Sequence, residues 1–121
     1  MKRIVSIEDE PALQQALGDF LRGQGYAVVP ALDGEAGLAA IKSERPDLVL
    51  LDLVLPKKYG LDVLREMRSD PAVAAIPVIV LTNIESGDAI EEATELGAKA
   101  YLVKTNYSLD EVLEKVKAVI G

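Results

Sequence analysis

The sequence predicts an α/β fold of the doubly wound type, in which a five-stranded parallel sheet carries helices on both faces. Five short runs rich in β-branched and aliphatic residues alternate with segments whose apolar residues recur at helical spacing. The third and fourth runs are almost continuously hydrophobic, which is typical of strands covered on both faces. Elements that alternate in this way are joined by right-handed crossovers, so the strands should run parallel.

The five predicted strands follow directly from these runs. They are Arg3 to Glu8, Tyr26 to Pro30, Asp47 to Asp52, Pro77 to Thr82 and Ala100 to Val103. Valine, isoleucine and leucine supply most of the apolar residues of these runs, and the β-branched ones fit the pleated surface of a sheet better than the crowded surface of a helix. A helical segment follows every run, so the chain consists of five β/α pairs.

Capping residues and helix breakers mark the helix boundaries. The first helix follows Pro11, which is tolerated in a first turn. Asp33 is the predicted N-cap of the second helix, and Gly97 is the predicted stop of the fourth. The last helix opens with a predicted capping box from Ser108 to Glu111.

Composition limits both the organisation and the chemistry of the chain. At 121 residues, half of them hydrophobic, residues 1–121 are predicted to form one compact domain. The absence of Cys and His excludes disulfides, zinc-thiolate sites and the commonest general base. A net charge of −7 argues against direct binding of nucleic acid. No run of about 18 apolar residues is present, so no membrane insertion is predicted and a cytoplasmic location is expected.

Polar residues stand where four of the predicted strands end. Glu8 and Asp9 end the first strand, and Asp52 ends a strand that is otherwise hydrophobic. Thr82 and Lys104 end the fourth and fifth strands. Ligands of open α/β sheets bind beyond the carboxyl ends of the strands, where strand order reverses. These side chains are therefore the candidate site.

Five motifs in order and spacing resemble the receiver domains of two-component response regulators, especially the single-domain chemotaxis type. The resemblance covers the whole chain and implies a flavodoxin-like (βα)5 sandwich with strand order 2-1-3-4-5. The matching motifs are Glu8-Asp9, LLDLVLP with Asp52 and Pro56, YGLDVL with Gly60, VIVLT with Thr82, and GAKAYLVK with Tyr101 and Lys104.

The resemblance implies a phosphorylation switch that requires Mg²⁺. Asp52 would accept a phosphoryl group from a sensor histidine kinase, a phosphotransfer protein or a small phosphodonor. Asp9, Asp52 and the backbone carbonyl of Val54 would bind the Mg²⁺ ion, and Glu8 would act mainly through water. A hard divalent cation suits this role because it neutralises the charge on the transferring group.

The resemblance also assigns the remaining site residues. Lys104 would bind a phosphate oxygen, and the Thr82 hydroxyl would move toward the phosphoryl group while Tyr101 swings inward. The surface of the fourth helix, fifth strand and fifth helix would then bind a downstream protein, as a monomer or as a phosphorylation-dependent dimer. Such a domain phosphorylates and dephosphorylates itself but does not turn over a substrate as an enzyme does.

Two positions depart from the family pattern. Thr105 stands where the family usually has a cis-proline after the lysine, and a cis bond is costly for any other residue. Asn83 stands where a small residue usually follows the family hydroxyl, and it could narrow access to Asp52 or bind a phosphate.

Other readings of the same residues exist. Taken singly, Asp52 could be a turn residue and Lys104 a surface lysine. A haloacid-dehalogenase-type phosphatase would need an acidic residue at position 54, where Val54 stands, and a flavodoxin-like electron carrier would need a Ser/Thr/Gly-rich loop after the first strand. The main alternative is a pseudo-receiver, an interaction module that acts without phosphorylation.

Overall fold

The computed structural model describes all 121 residues, and its elements follow the predicted order. The strands are β1 (Arg3–Ile7), β2 (Ala27–Ala31), β3 (Leu48–Leu51), β4 (Val78–Thr82) and β5 (Ala100–Val103). The helices are α1 (Pro11–Gly23), α2 (Gly34–Glu44), α3 (Gly60–Ser69), α4 (Gly87–Glu95) and α5 (Leu109–Ile120). A turn of 3₁₀ helix, Lys104–Asn106, follows β5 directly.

All neighbouring strands are parallel, and their order in the sheet is β2-β1-β3-β4-β5. The predicted flavodoxin-like fold is thus confirmed. Strand order reverses at β1, because the chain adds β2 on one side and then crosses back to add β3 on the other. Ile7 is in register with Ala31 on β2 and with Leu51 on β3. The carboxyl ends of β1 and β3 therefore lie side by side at the switch point.

Four of the predicted strands differ from the observed ones by a single residue at one or both ends. Glu8 and Asp52 lie just past β1 and β3; the N–H of each still donates to a neighbouring strand, after which the chain turns toward the next element. Tyr26 precedes β2, and this strand continues through Pro30 to Ala31. Proline is tolerated there because β2 is an edge strand, on which alternate N–H groups need no partner in the sheet.

The hydrophobic core consists of two layers, one on each face of the sheet. Residues of β1, β3 and β4 alternate between the layers, and both central strands, β3 and β4, are buried along their whole length. One layer packs against α1 and α5, and the other packs against α2 and α3 with part of α4. Each fully buried aliphatic side chain contributes about 1.5–3 kcal/mol. None of the helices is both long and apolar enough to cross a lipid bilayer.

The helix ends agree with the predicted caps, with one exception. The Asp33 carboxylate accepts a hydrogen bond from the backbone N–H of Ala36 at 2.7 Å. Gly97 has a φ of 86° and lies two residues past the end of α4. The predicted capping box is only half formed: the Ser108 hydroxyl accepts from the N–H of Glu111, but also donates to the Glu111 carboxylate, which does not reach back to the Ser108 backbone.

Candidate functional site

Three carboxylates meet at the carboxyl edge of the sheet. Glu8 and Asp9 follow β1, and Asp52 follows β3 on the adjacent strand. One carboxylate oxygen from each residue lies within 4.8 Å of the others. Glu8 and Asp52 are each only 4% exposed, whereas Asp9 is more accessible. Like charges at this separation oppose one another's ionisation, so the cluster needs a cation nearby.

Lys104 supplies a positive charge to this cluster. Its ammonium group donates a hydrogen bond to Asp52 Oδ2 at 2.8 Å and forms an ion pair with Glu8 Oε1. The Lys104 side chain is 9% exposed, so both bonds are shielded from water. An exposed carboxylate oxygen of Glu10 lies 3.7 Å from the same nitrogen. One lysine therefore bridges the two buried acids.

Burial and pairing shift the ionisation of this cluster in opposite directions. Burial raises the pKa of Glu8, and the hydrogen bond from Lys104 only partly offsets it. Burial also opposes the charge on Lys104, but its hydrogen bonds to Asp52 and Glu8 outweigh burial and raise the pKa of the lysine well above its ordinary value. Lys104 is therefore a fixed cation at any physiological pH.

The backbone around Asp52 is held close to the neighbouring elements. The Asp52 N–H donates to the carbonyl of Ile7 at 3.0 Å, which extends the sheet by one bond beyond β3. The Val54 N–H donates to Asp52 Oδ1 at 3.2 Å and orients the carboxylate. A Cβ atom on Gly60 would lie 2.3 Å from the Asp52 carbonyl oxygen, so only glycine lets α3 begin this close to the site.

Thr82 and Tyr101 both bond to the backbone of one residue, Ile84. Thr82 is fully buried, and its hydroxyl oxygen accepts a hydrogen bond from the Ile84 N–H at 3.4 Å. The Tyr101 hydroxyl donates to the Ile84 carbonyl at 2.8 Å. The Tyr101 ring packs on the core layer of α2 and α3, and its burial raises the pKa of the phenol. Ile84 therefore joins the end of β4 to the middle of β5.

A cleft of about 290 Å³ gives access to Asp52. Val54, 54% exposed, and Asn83 form part of its wall, so Asn83 lies where it can contact a group bound to Asp52. Ile84 instead lines an adjoining apolar groove that Val54 shares. The peptide bond before Thr105 is trans, and this residue lies in the 3₁₀ turn after β5.

Sequence reasoning did not identify two polar residues near the site. Glu10 lines the cleft, and its carboxylate lies 3.7 Å from the Lys104 ammonium nitrogen. Gln14 is 6% exposed and donates its side-chain amide to backbone carbonyls of β1, β2 and Glu8. The signal for Gln14 was present, because a glutamine at a buried position of an amphipathic helix needs polar partners.

The buried carboxylates and the paired lysine thus lie at the switch point of a doubly wound sheet, where ligands of open α/β sheets bind. The chain belongs to the response regulator receiver domain family, whose family model matches residues 4–117. It is thus a receiver domain of the two-component type, a class of domain that signals through phosphorylation.

A curated relative and two solved structures illustrate the similarity. The DNA-binding dual master transcriptional regulator RpaA of Synechocystis is 37% identical over 120 residues, which are 99% of this chain and 49% of RpaA. The chain therefore spans about half the length of that relative. A CheY-like receiver domain protein from Methanospirillum hungatei has a TM-score of 0.91 and 29% identity, covering 98% of this chain and 92% of its own. The Mn²⁺-bound form of response regulator Rcp1 has a TM-score of 0.83 and 31% identity, covering 98% and 91%.

Proposed function

We propose that the chain is a phosphorylation-dependent switch whose phosphoacceptor is Asp52. The observation that carries the proposal is the pairing of this buried carboxylate with Lys104 inside an acidic cluster, at the end of a cleft open to solvent. A buried carboxylate paired only for stability would not need two further acids within 4.8 Å. The cluster is instead suited to a reaction that brings in both a cation and an anion.

The proposed reaction is a phosphoryl transfer to a carboxylate oxygen of Asp52. The oxygen attacks phosphorus while the bond from phosphorus to the donor's imidazole nitrogen, or to the leaving oxygen of a small phosphodonor, breaks. The product is an acyl phosphate, and the leaving group takes its proton from solvent. Lys104, already 2.8 Å from Asp52 Oδ2, can then bind a phosphate oxygen instead.

Glu8, Asp9 and Asp52 supply the oxygen donors that Mg²⁺ requires. A hard cation that keeps several water ligands takes only one or two carboxylates directly. We assign Asp9, Asp52 and the Val54 carbonyl as direct ligands, with Glu8 acting through water. Bound there, Mg²⁺ would neutralise charge on the transferring phosphoryl group. The more exposed position of Asp9 supports its role as the first ligand that an incoming ion meets.

Ile84 provides a route from the site to the surface near α4. The Thr82 hydroxyl accepts from the Ile84 N–H, and its own proton is free to donate to a phosphate oxygen on Asp52. If the hydroxyl moves toward that oxygen, its bond with the Ile84 N–H lengthens or breaks. Movement of Ile84 would in turn disturb the hydrogen bond from Tyr101, which holds β5 to the segment before α4. We propose that Thr82 and Tyr101 respond together for this reason, and that the surface of α4, β5 and α5 changes with them.

We propose the protein partners of the chain from its membership of the receiver domain family. A sensor histidine kinase or a phosphotransfer protein would supply the phosphoryl group, and a downstream protein would recognise the changed surface. RpaA is described as DNA-binding, but the match covers about half of its length, and the net charge of −7 argues against nucleic acid as a direct ligand of this chain. A cytoplasmic location and a monomer or phosphorylation-dependent dimer likewise remain predictions.

Beryllofluoride, a phosphoryl mimic, tests the proposal together with amide hydrogen exchange. In the presence of Mg²⁺, exchange rates should change from residues 81–86 through 100–104, and Asp52→Asn should abolish the response. Thr82→Ala should confine the changes to the neighbourhood of Asp52, because the route through Ile84 is then cut. Asp47→Asn, at the other end of β3, is the matched control and should respond like the wild type.

Two outcomes would contradict the proposal in different ways. A wild-type response confined to residues beside Asp52 would show that Thr82 and Tyr101 do not transmit the signal. Absence of any response in the wild type would instead favour the pseudo-receiver alternative, in which the domain binds its partners without phosphorylation.

A further inference from the structure

Gln14 joins α1 to the ends of two strands at the edge that carries the site. Its side-chain Nε2 lies 2.8 Å from the carbonyl oxygen of Ser6, 3.0 Å from that of Ala31 and 3.3 Å from that of Glu8. The side chain is buried near the start of α1. Its amide therefore fills the space where the carboxyl ends of β1 and β2 and the first turn of α1 meet.

The three carbonyls determine which way the amide of Gln14 points. Carbonyl oxygens only accept hydrogen bonds, so the NH₂ group must face them and the Oε1 atom must face away. Oε1 is buried there and has no donor. An unpaired buried acceptor is unfavourable, and an apolar side chain of similar length would avoid it. The contribution of Gln14 must therefore lie in the carbonyls that its Nε2 reaches.

The carbonyl of Glu8 has particular need of this donor. Glu8 is the first residue past β1, and its N–H still donates to the Ala31 carbonyl at 3.0 Å. No bond of the sheet ladder reaches its carbonyl, because the chain leaves the sheet at this point. The Gln14 amide supplies the hydrogen bond instead, at 3.3 Å, and shares its two protons among the carbonyls of Glu8, Ser6 and Ala31. Glu8 is thus held on both sides, and the peptide group that links it to Asp9 is fixed.

We propose that Gln14 is a positioning residue for the acidic pair Glu8 and Asp9. By fixing the peptide between them, it sets the directions in which the two carboxylates leave the backbone, and so the affinity of the site for a divalent cation. The cation part of this inference rests on the proposed function. The fixing of the peptide does not, because it follows from contacts within the chain alone.

Hydrogen exchange in metal-free protein tests the fixing of the peptide. Gln14→Met keeps length and apolar volume but removes the donor, so the Glu8 N–H, on the peptide directly before the fixed one, should exchange at least ~10-fold faster, as in local opening, while amides of β4 change less than about twofold. Gln15→Met, at the neighbouring exposed position, should leave the Glu8 amide unchanged. If Gln14→Met does not fold, Gln14→Leu, a shorter apolar side chain that also lacks the donor, takes its place.

Titration calorimetry with Mg²⁺ tests the consequence for the cation. Gln14→Met should weaken Mg²⁺ binding by about 10-fold, as expected when a group that orients metal ligands is lost. Leu21→Val, a core change in the same helix, should lower stability without changing the affinity, which separates positioning from stability.

The inference and the proposed function can fail separately. If wild-type protein binds no Mg²⁺, the proposed function is wrong, and exchange of the Glu8 amide alone decides the role of Gln14. If wild-type protein binds Mg²⁺, then either an unchanged Glu8 exchange rate or an unchanged Mg²⁺ affinity in Gln14→Met overturns the inference.

Discussion

Asp47 and Asp52 stand at opposite ends of the same strand, β3, and meet opposite surroundings. Asp47 is exposed, and its carboxylate accepts a hydrogen bond from the backbone N–H of Arg3 at 2.8 Å. Asp52 is 4% exposed, and its carboxylate is paired with the Lys104 ammonium at the same distance. The amino edge of a parallel sheet presents N–H groups to a carboxylate, whereas the carboxyl edge presents carbonyl oxygens.

This difference explains why the carboxyl edge depends on cations. A carboxylate at the amino edge finds a partner in the backbone itself, and water solvates the rest of its charge. Three carboxylates crowd together at the carboxyl edge, where one backbone N–H each to Glu8 and Asp52 and the positive end of α1 offset only part of the charge. Without metal, the Lys104 ammonium group is the cation that pairs with the buried carboxylates. We expect Mg²⁺ to bind beside it during the signalling cycle.

The largest expected effect is that of removing the lysine. In metal-free protein, Lys104→Met leaves Glu8 and Asp52 buried without a counter-charge, so the free energy of unfolding should fall by roughly 3 kcal/mol. Added Mg²⁺ should restore much of this loss, because the ion takes over the role of the missing cation. Urea denaturation with EDTA and with Mg²⁺ measures both quantities.

A core variant sharpens this comparison. Leu64 is a fully buried residue of α3. Leu64→Ala should lower the free energy of unfolding by about the same amount, ~3 kcal/mol. Mg²⁺ should not restore that loss beyond the stabilisation that it gives the wild type. Equal recovery of both variants in Mg²⁺ would mean that the ion stabilises the fold generally and not through the acidic edge.

The second effect is the stabilisation of the wild type by Mg²⁺. At a concentration 100 times its dissociation constant, a ligand of the native state adds about 2.7 kcal/mol, which raises the melting temperature by several degrees. Asp9→Ala should lose most of this increase, and Asp47→Asn should keep it. The assigned ligands are wrong if Asp9→Ala retains the full shift.

Tyr101→Phe should have a smaller effect on stability. The substitution removes the hydroxyl that donates to the Ile84 carbonyl, a neutral hydrogen bond worth about 1 kcal/mol. The amides of residues 84–86 should then exchange faster in the unphosphorylated state, while the affinity for Mg²⁺ stays unchanged. A loss of Mg²⁺ affinity in this variant would show that the tyrosine acts on the metal site directly.

The smallest effect concerns pH. Because burial raises the pKa of Glu8 above 4.5, the folded protein holds more protons than the unfolded chain just above that pH, and this group makes stability fall as pH rises through that window. Glu8→Gln lacks this titration. In EDTA, the stability of the wild type relative to Glu8→Gln should therefore decrease from pH 4.5 upward. An increase would show that folding lowers the pKa of Glu8 instead of raising it.

The fold and the location of the site were predictable from the sequence, for physical reasons. Hydrophobic runs of strand length specify a parallel sheet, and the residue after each run must lie at its carboxyl edge, which places Asp52 and Lys104 together. Individual partners were not predictable. The contacts of Gln14 with Ala31 and of Tyr101 with Ile84 depend on strand register and side-chain conformation, which periodicity does not encode. The capping box at Ser108 is only half formed for the same reason, because the direction of the Glu111 side chain is not encoded by the motif.

Covalent labelling most directly tests the central claim that the two ends of β3 differ in chemistry. Purified protein is incubated with acetyl phosphate in Mg²⁺ or in EDTA, and the modified residue is located by mass spectrometry of its peptides. The account predicts a phosphoryl group on Asp52 only, dependent on Mg²⁺, absent in Asp52→Asn and retained in Asp47→Asn. Labelling that persists in Asp52→Asn, or no labelling of the wild type in Mg²⁺, would contradict it.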